Sequence, residues 1–470
     1  MKKAFYLYCL TIIFFYQTTQ AQQFGMGLEF NDAAYQEVPV KSGLLTRDYE
    51  ALPKAYSLKK YCPKPQTQGM YATCVGWSSA YAARTIIDAR QKNLTDTEEI
   101  TKQAFSGAFV YRLIRLSEDS TCQYGTFIHD ALSIMQSRGV PKYTQFNPLC
   151  PSGTVINEDI AEKAQSYKIK DFHRLFNSDD SDDLKIRVLK KSLSQGNPVV
   201  FAMLCPNSFY KAKDFWQPDE SESPYNRYGG HAMCIVGYDD EKYADEGAFE
   251  IMNSWGNQWG NQGFIWIKYS TFAAYAKYAF EMFPFEAKDP VAYDLSGEVK
   301  LIDSKGKNLV TERIKNNTSL AYYQMKEPLH SGDRFRIYIS NHEPAYVYAI
   351  GSDLSKEIYP LFPHKKGISA ALNYSSNHVA IPGEDYYIEI DQNVGTDYLC
   401  VLYSKEPLDF QKLSDKLRKT PGSFEQQIQT LLADKILNPQ ATQFDSQQMA
   451  FKAKSGTRSV AAFMVEIAHQ

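Results

Sequence analysis

Cys74, His231, Asn253 and Gln68 are the residues whose types and settings could carry covalent chemistry in this chain. Cys74 opens an apolar helical run, Val75 to Arg90. There the positive end of a helix dipole and unpaired backbone N–H groups favour thiolate over thiol. Gln68 precedes it and can place a side-chain N–H where an oxyanion would form beside the sulfur, with the backbone N–H of Cys74 as second donor. A core thiol is the competing reading, because cysteine is among the most buried residue types and the same helix carries a packing stripe of Ala80, Ala83 and Ile87. This stretch alone leaves both open.

The pair further along separates them. His231 to Tyr238 reads as a buried strand ending at Asp239-Asp240, and Ala248 to Met252 as a second strand reaching Asn253. An antiparallel hairpin centred near residue 243 pairs residue 231 near 255, which brings His231 and Asn253 to the same end. An imidazole held by an Asn carbonyl keeps its other nitrogen free, as a general base for a thiol requires. His231 also has Gly229-Gly230 before it, whereas His129, His173, His330, His342, His364, His378 and His469 read as structural or solvated. Trp255 and Trp259 follow, and Trp255 can lie over the Asn–His bond and keep water from it.

These side chains need elements to hold them. After the Cys74 helix, Phe109 to Leu116 and Gly125 to Gln136 read as helices, the second ending at Gly139-Val140-Pro141. Asp179 to Asp183 precedes a helix over Asp183 to Ser194; acidic residues suit a helix N-terminus, which is the simpler reading than a cation site. Gly196-Asn197-Pro198 stops that helix, and Val199 to Met203 reads as a buried strand. Residues 22–50 form a short lead-in without strong periodicity, and Pro53, Pro63 and Pro65 punctuate the approach to Gln68.

With 470 residues, 44% of them apolar, the chain has material for two or three domains. Its formal charge of −3 gives no electrostatic footprint for nucleic acid or an anionic membrane. Met1-Lys2-Lys3, the apolar run Ala4 to Tyr16 and Ala21 compose a signal peptide over residues 1–21, with a run too short to span a bilayer. A secreted or periplasmic protein without a membrane span is expected. Of the eight cysteines, Cys9 lies in that leader, and the odd remainder implies a thiol that is buried or used. Cys234 and Cys400 sit in apolar strand-like runs, while a Cys122–Cys150 disulfide is compatible with their loop-like surroundings but not decided by spacing.

Taken together, Gln68 with Cys74, Gly230-His231-Ala232, and Asn253-Ser254-Trp255-Gly256 with Trp259-Gly260 and Gly263 resemble the papain-like cysteine peptidases over about residues 50–285. The resemblance implies an α+β catalytic domain of two subdomains over 51–285, helices carrying the cysteine and β-structure carrying His and Asn, with a substrate cleft between. It implies Cys74 as nucleophile, His231 as acid and base, Asn253 as its orienter and Gln68 as oxyanion donor. The chain departs from the family in having Tyr71-Ala72-Thr73-Cys74-Val75 at the nucleophile, so the disulfide normally made just before it is absent. His231 and Asn253 follow Cys74 by 157 and 179 residues, beyond the usual spacing of about 130–150. That implies enlarged loops, such as Lys211 to Tyr228 beside the cleft. The 22–50 segment is shorter than the inhibitory propeptides of plant and lysosomal members, which leaves open how latency is kept.

Beyond Pro290 the pattern becomes short alternating strands, Glu298–Ile302, Arg334–Ser340, Ala345–Ile350, Glu357–Leu361, Tyr386–Ile390 and Tyr398–Tyr403. Helices over about 407–418 and 422–435 follow, and Met449–Lys454 with Ser459–Ile467 reads as a closing hairpin turned at Ser455-Gly456. A β-sandwich-like domain with added helices over 291–470 is expected. Segments such as Ser331 to Phe335 and Pro344 to Tyr348 resemble a bacterial domain of unknown function that accompanies secreted peptidases and kinases. Its tip could bind a partner, although support of the first domain is the simpler role.

A secreted peptidase is the reading adopted, with peptide or protein as substrate. The alternatives are another thiol acyl-transfer enzyme, such as a transglutaminase or peptidoglycan amidase, and a non-catalytic binding protein on a peptidase scaffold. The first alternative usually pairs Cys and His with Asp or a second His rather than Asn-Ser-Trp, and thiol labelling at Cys74 would exclude the second. No zinc-type spacing, phosphate loop or dinucleotide fingerprint is present, so no cofactor or metal is implied.

Overall fold

A single rod begins at Cys74 in the computed structural model: α-helical over Cys74–Gly76, π-helical over Trp77–Arg84, α-helical again over Thr85–Gln91. The structure describes residues 24–41, 52–285, 293–314, 320–353, 355–374, 377–383, 385–445 and 448–470. The signal-peptide reading of 1–21 lies outside them. The rod is buried over most of its length and carries Trp77, Ala80, Ala83 and Ile87 into the core. Helix Gly107–Ile114 packs against it, capped by Ser106, whose Oγ accepts from the Phe109 N–H at 2.9 Å. Helix Ile128–Ser137 lies beside these and is followed by Gly139 at φ +78°, the left-handed turn that glycine adopts freely. The acidic run resolves into local capping. Asp180 accepts from the Asn177 N–H, Ser181 caps the helix Asp182–Ser194, and Asp182 and Asp183 occupy its first turn.

Opposite the helices stands a sheet ordered Ile169–Arg174, Ala276–Pro284, Val199–Cys205, Gly229–Asp239, Ala248–Met252, Phe264–Lys268, Phe215–Trp216, with Ala55–Ser57 on the far half of Gly229–Asp239. Residues 230–238 of the central strand are all buried, which explains an unbroken apolar run rather than alternation. It pairs antiparallel with Ala248–Met252 from Asp239↔Ala248 to Cys234↔Met252, so the hairpin turns where the sequence places it. Helix Asp32–Glu37 of the lead-in packs on the same sheet. Its Tyr35 stacks on Tyr278 at 4.2 Å, and Asp32 accepts from the Tyr278 hydroxyl at 2.6 Å.

From residue 295 two sheets face each other. One runs Thr311–Ile314, Ala321–Met325, Val460–His469, Gly395–Ser404, Ala345–Ser352, Ile358–Phe362; the other runs Asn377–Ile381, Arg334–Asn341, Leu295–Asp303, Met449–Ala453, Thr442–Phe444. Phe335, Ile337 and Ile339 of one face meet Val347, Val401 and Phe463 of the other. Helices Phe410–Leu417 and Phe424–Leu432 cover the outer face of the first sheet over Cys400, Leu402 and Met464. The expected closing hairpin does not form. Met449–Ala453 pairs with Leu295–Asp303, and Val460–His469 with Gly395–Ser404, in the opposite sheet. Val460–His469 is buried on both faces, by the sandwich interior and by the two helices, and so takes a central place that a hairpin partner of Met449–Ala453 could not reach.

Candidate active site

Strand Gly229–Asp239 carries His231 to the end of the sheet that abuts the Cys74 helix. His231 Nε2 lies 2.8 Å from Asn253 Oδ1, and that oxygen also accepts from the Ser254 N–H at 2.7 Å. An oxygen accepting from a backbone N–H cannot donate, so Nε2 carries the proton and Nδ1 holds a lone pair. Nδ1 has no hydrogen-bond partner. The backbone of Ala232, the next residue, lies near enough to the Cys74 sulfur to act on its thiol. The structure therefore packs the helix that begins at Cys74 against the strand that carries His231. Trp255 stacks on the His231 ring at 4.6 Å, where sequence reasoning expects a cover for the His–Asn bond.

Gln68 reaches the same interface from the other side. Its backbone N–H donates to the Ser254 carbonyl at 2.8 Å, and Ser254 Oγ donates to Gln68 Oε1 at 2.6 Å, which turns Nε2 toward the cleft. Ser254 thus holds the Gln68 side chain, a contact that the sequence shows only as part of a motif. The turn before Cys74 is held by Cys122, whose carbonyl accepts from Ala72 N–H at 2.7 Å and whose sulfur is bonded to Cys150. Spacing alone left that disulfide undecided. Cys62, Cys74, Cys205, Cys234 and Cys400 are free and buried. Just before the enlarged loop, Tyr210 of the short helix Asn207–Lys211 stacks on Trp255 at 5.0 Å.

What sequence reasoning missed is the occupant of the cleft. Residues 24–30 lie in it as a strap. Gly25 O accepts from Gln68 Nε2 at 3.0 Å and from Trp255 Nε1 at 3.1 Å, while Phe24 stacks on Trp255 at 4.8 Å. Leu28 N–H donates to Gly230 O, Glu29 N–H to Thr126 O, and Thr126 N–H to Gly27 O, at 3.2, 3.0 and 2.9 Å. The backbone of Gly27 lies near enough to the Cys74 sulfur to act on its thiol. Glycine is required at both strap positions, since a Cβ on Gly25 would meet the Tyr71 carbonyl and one on Gly27 the Ala72 carbonyl. The lead-in is therefore not featureless. Its alternation Phe24, Met26, Leu28, Phe30 with two intervening glycines is the signal of an extended segment pressed against backbone.

With the strap seated, Cys74 and His231 are both 0% exposed. Burial pushes the Cys74 thiol up to about 12, against the pull of backbone hydrogen bonds from Ala232 and Gly27. Burial likewise pushes His231 down to about 4, only partly offset by Asn253. The expectation that the helix N-terminus yields a thiolate is corrected for this closed form: desolvation outweighs the dipole, and both groups are neutral. No substrate reaches the sulfur until residues 24–30 move.

Residues 61–281 match a family model described as papain family cysteine protease, and residues 329–407 match a domain of unknown function. An uncharacterized peptidase C1-like protein of Acanthamoeba polyphaga mimivirus is 26% identical over 231 residues, covering 46% of this chain and 68% of that protein. Among solved structures, xylellain, a cysteine protease from Xylella fastidiosa, is 24% identical, with 56% of this chain and 97% of that chain covered and a TM-score of 0.44. The bromelain protease from Ananas comosus is 14% identical, with 50% and 100% covered and a TM-score of 0.39. Residues 61–281 thus form a papain-family cysteine protease domain, a hydrolase by class, and a domain of unknown function follows it at 329–407.

Proposed function

We propose that the protein is a secreted cysteine peptidase whose nucleophile is Cys74, with His231 as acid and base, Asn253 as orienter and Gln68 as oxyanion donor. The observation that carries this is the His231 Nε2–Asn253 bond of 2.8 Å, which leaves Nδ1 unpartnered on the strand that packs against the Cys74 helix. Once the strap leaves, the imidazole and thiol regain solvent and the proton can pass from sulfur to Nδ1. The sulfur attacks a peptide carbonyl carbon, and the oxygen takes the negative charge within reach of Gln68 Nε2 and the Cys74 backbone N–H. The C–N bond breaks as His231 returns the proton to the leaving amine. Water then attacks the thioester, His231 taking its proton, and the acid and the free thiol are released.

Secretion is supported by the basic start and apolar run of residues 1–16 and by the Cys122–Cys150 disulfide, which persists in an oxidising compartment. Among the described residues no helix is long and apolar enough to cross a membrane. The test is hydrolysis of a diverse peptide library by residues 22–470, with Cys74→Ala as control. Cleavage is expected from the first protein and none from the second. Equal cleavage by both would end the assignment.

A further inference from the structure

The strap has a second end, and it is held between the two domains. Main-chain residues 39–41 form bridges on both sides. Toward the protease domain, Arg174 N–H donates to Pro39 O at 3.1 Å and Lys41 N–H to Arg174 O at 3.0 Å. Toward the C-terminal domain, Val40 N–H donates to Gly367 O at 2.6 Å and Ser369 N–H to Val40 O at 2.9 Å. Lys41 then buries its ammonium where all three segments meet. Nζ lies 3.0 Å from Glu281 Oε2 and 3.1 Å from Gln195 Oε1, and 4.6 Å over the Tyr374 ring. The Tyr374 hydroxyl of the C-terminal domain donates to the same Glu281 oxygen at 3.0 Å and accepts from Asn197. Ser369 Oγ meets His173 Nε2 at 2.9 Å alongside.

We infer that the C-terminal domain serves as the anchor of the N-terminal strap, its 365–374 loop closing over Val40 and Lys41 so that residues 24–30 are kept in the cleft. A strap released from the cleft but still gripped at residues 39–41, with helix Asp32–Glu37 between, stays at high effective concentration and reseats. Loosening the anchor lets the whole segment depart. The domain of unknown function thereby acquires an intrachain partner, and a ligand that engaged the 365–374 loop would be felt at Cys74. The regulatory meaning rests on the reading of Cys74 as nucleophile; the anchor itself does not.

The test reads the accessibility of the Cys74 thiol in full-length mature protein, by alkylation with iodoacetamide and peptide mapping. Cys234 and Cys400, buried in the two separate cores, report global opening in the same sample. Tyr374→Ala and Lys41→Met are the anchor variants, and Tyr386→Ser, exposed elsewhere on the C-terminal domain, is the control. Loss of a buried hydrogen bond to a charged group should raise Cys74 alkylation about tenfold or more in both anchor variants, with Cys234, Cys400 and the control unchanged. Cys74 alkylation that stays at the wild-type rate, or that rises only in step with Cys234 and Cys400, would overturn the inference. If Cys74 becomes reactive yet no peptide is cleaved, the peptidase assignment fails and the anchor stands.

Discussion

Replacing Gly27 by alanine should open the cleft without touching any group that does chemistry. A Cβ there would run into the carbonyl of Ala72, and one on Gly25 into the carbonyl of Tyr71. Both obstacles are backbone of the turn that leads into Cys74 and is tied to Cys122, so they cannot swing aside as a flexible side chain would. Neither glycine has a positive φ, so alanine brings steric overlap rather than backbone strain. Forcing a methyl into packed surroundings costs about 1–3 kcal/mol. Alanine also stiffens the displaced strap, an effect of about 0.4–1 kcal/mol that is smaller than the overlap. Since about 1.4 kcal/mol is a factor of ten, the difference of about 1.3 kcal/mol between the middle values should raise the population with Cys74 accessible by about tenfold. Alkylation of Cys74 in Gly27→Ala and Gly25→Ala, with Cys234 as internal reference, measures this directly, and peptide hydrolysis should rise in parallel. Alkylation unchanged in both variants would refute the reading of residues 24–30 as the barrier.

Gln68→Ala should act in two opposed directions. It removes the proposed oxyanion donor, which should lower turnover by about two to three orders of magnitude; it also removes the Gly25 hydrogen bond, so Cys74 alkylation should rise while hydrolysis falls. Acid should release the strap: burial holds His231 at about 4 when closed, against an ordinary 6.5 once it is wet. Between those values the open form binds a proton that the closed form refuses, so lowering pH favours opening, by about 3 kcal/mol at full extent. Cys74, held at about 12 when closed, has the opposite sense above its ordinary 9.0, where raising pH favours opening. Exchange of the Leu28 and Glu29 amides, corrected for intrinsic rates, should therefore be slowest near neutrality; a profile flat from neutral pH down to about 4.5 would contradict the burial argument.

Much of the site was legible because its residues report their own constraints. A strand without alternation, the glycines before His231 and an asparagine the right distance beyond a turn suffice to fold His231 onto Asn253, since antiparallel register follows from the turn centre. The helix of Cys74 was legible from its stripe, and the second domain from period-two strands such as Arg334–Asn341. What escaped is what depends on surfaces far apart in the chain. Met449–Ala453 and Val460–His469 look like a hairpin because proximity in sequence favours pairing, yet coverage of Val460–His469 on both faces sends them to different sheets. The sequence likewise contains no trace of the balance at Cys74, where a helix terminus pulls the thiol down and a distant segment buries it.

The strap escaped for a different reason: its length invited comparison with larger inhibitory segments rather than with the space it has to fill. A long leader can fold on its own and bind as a body, whereas residues 24–41 have one short helix and no core of their own. Their hold comes from three borrowed surfaces: the cleft through Gly25 and Leu28, the protease sheet through Tyr35 on Tyr278, and the domain junction through Val40 and Lys41. Each contact is modest, but fixing one makes the next cheaper in entropy because the intervening chain is already placed. Persistent occupation of the cleft by so short a segment is therefore a property of the whole molecule. It follows that the second domain cannot be read as a passive appendage, since at the junction it supplies, through Gly367, Ser369 and Tyr374, the face that belongs neither to the cleft nor to its sheet.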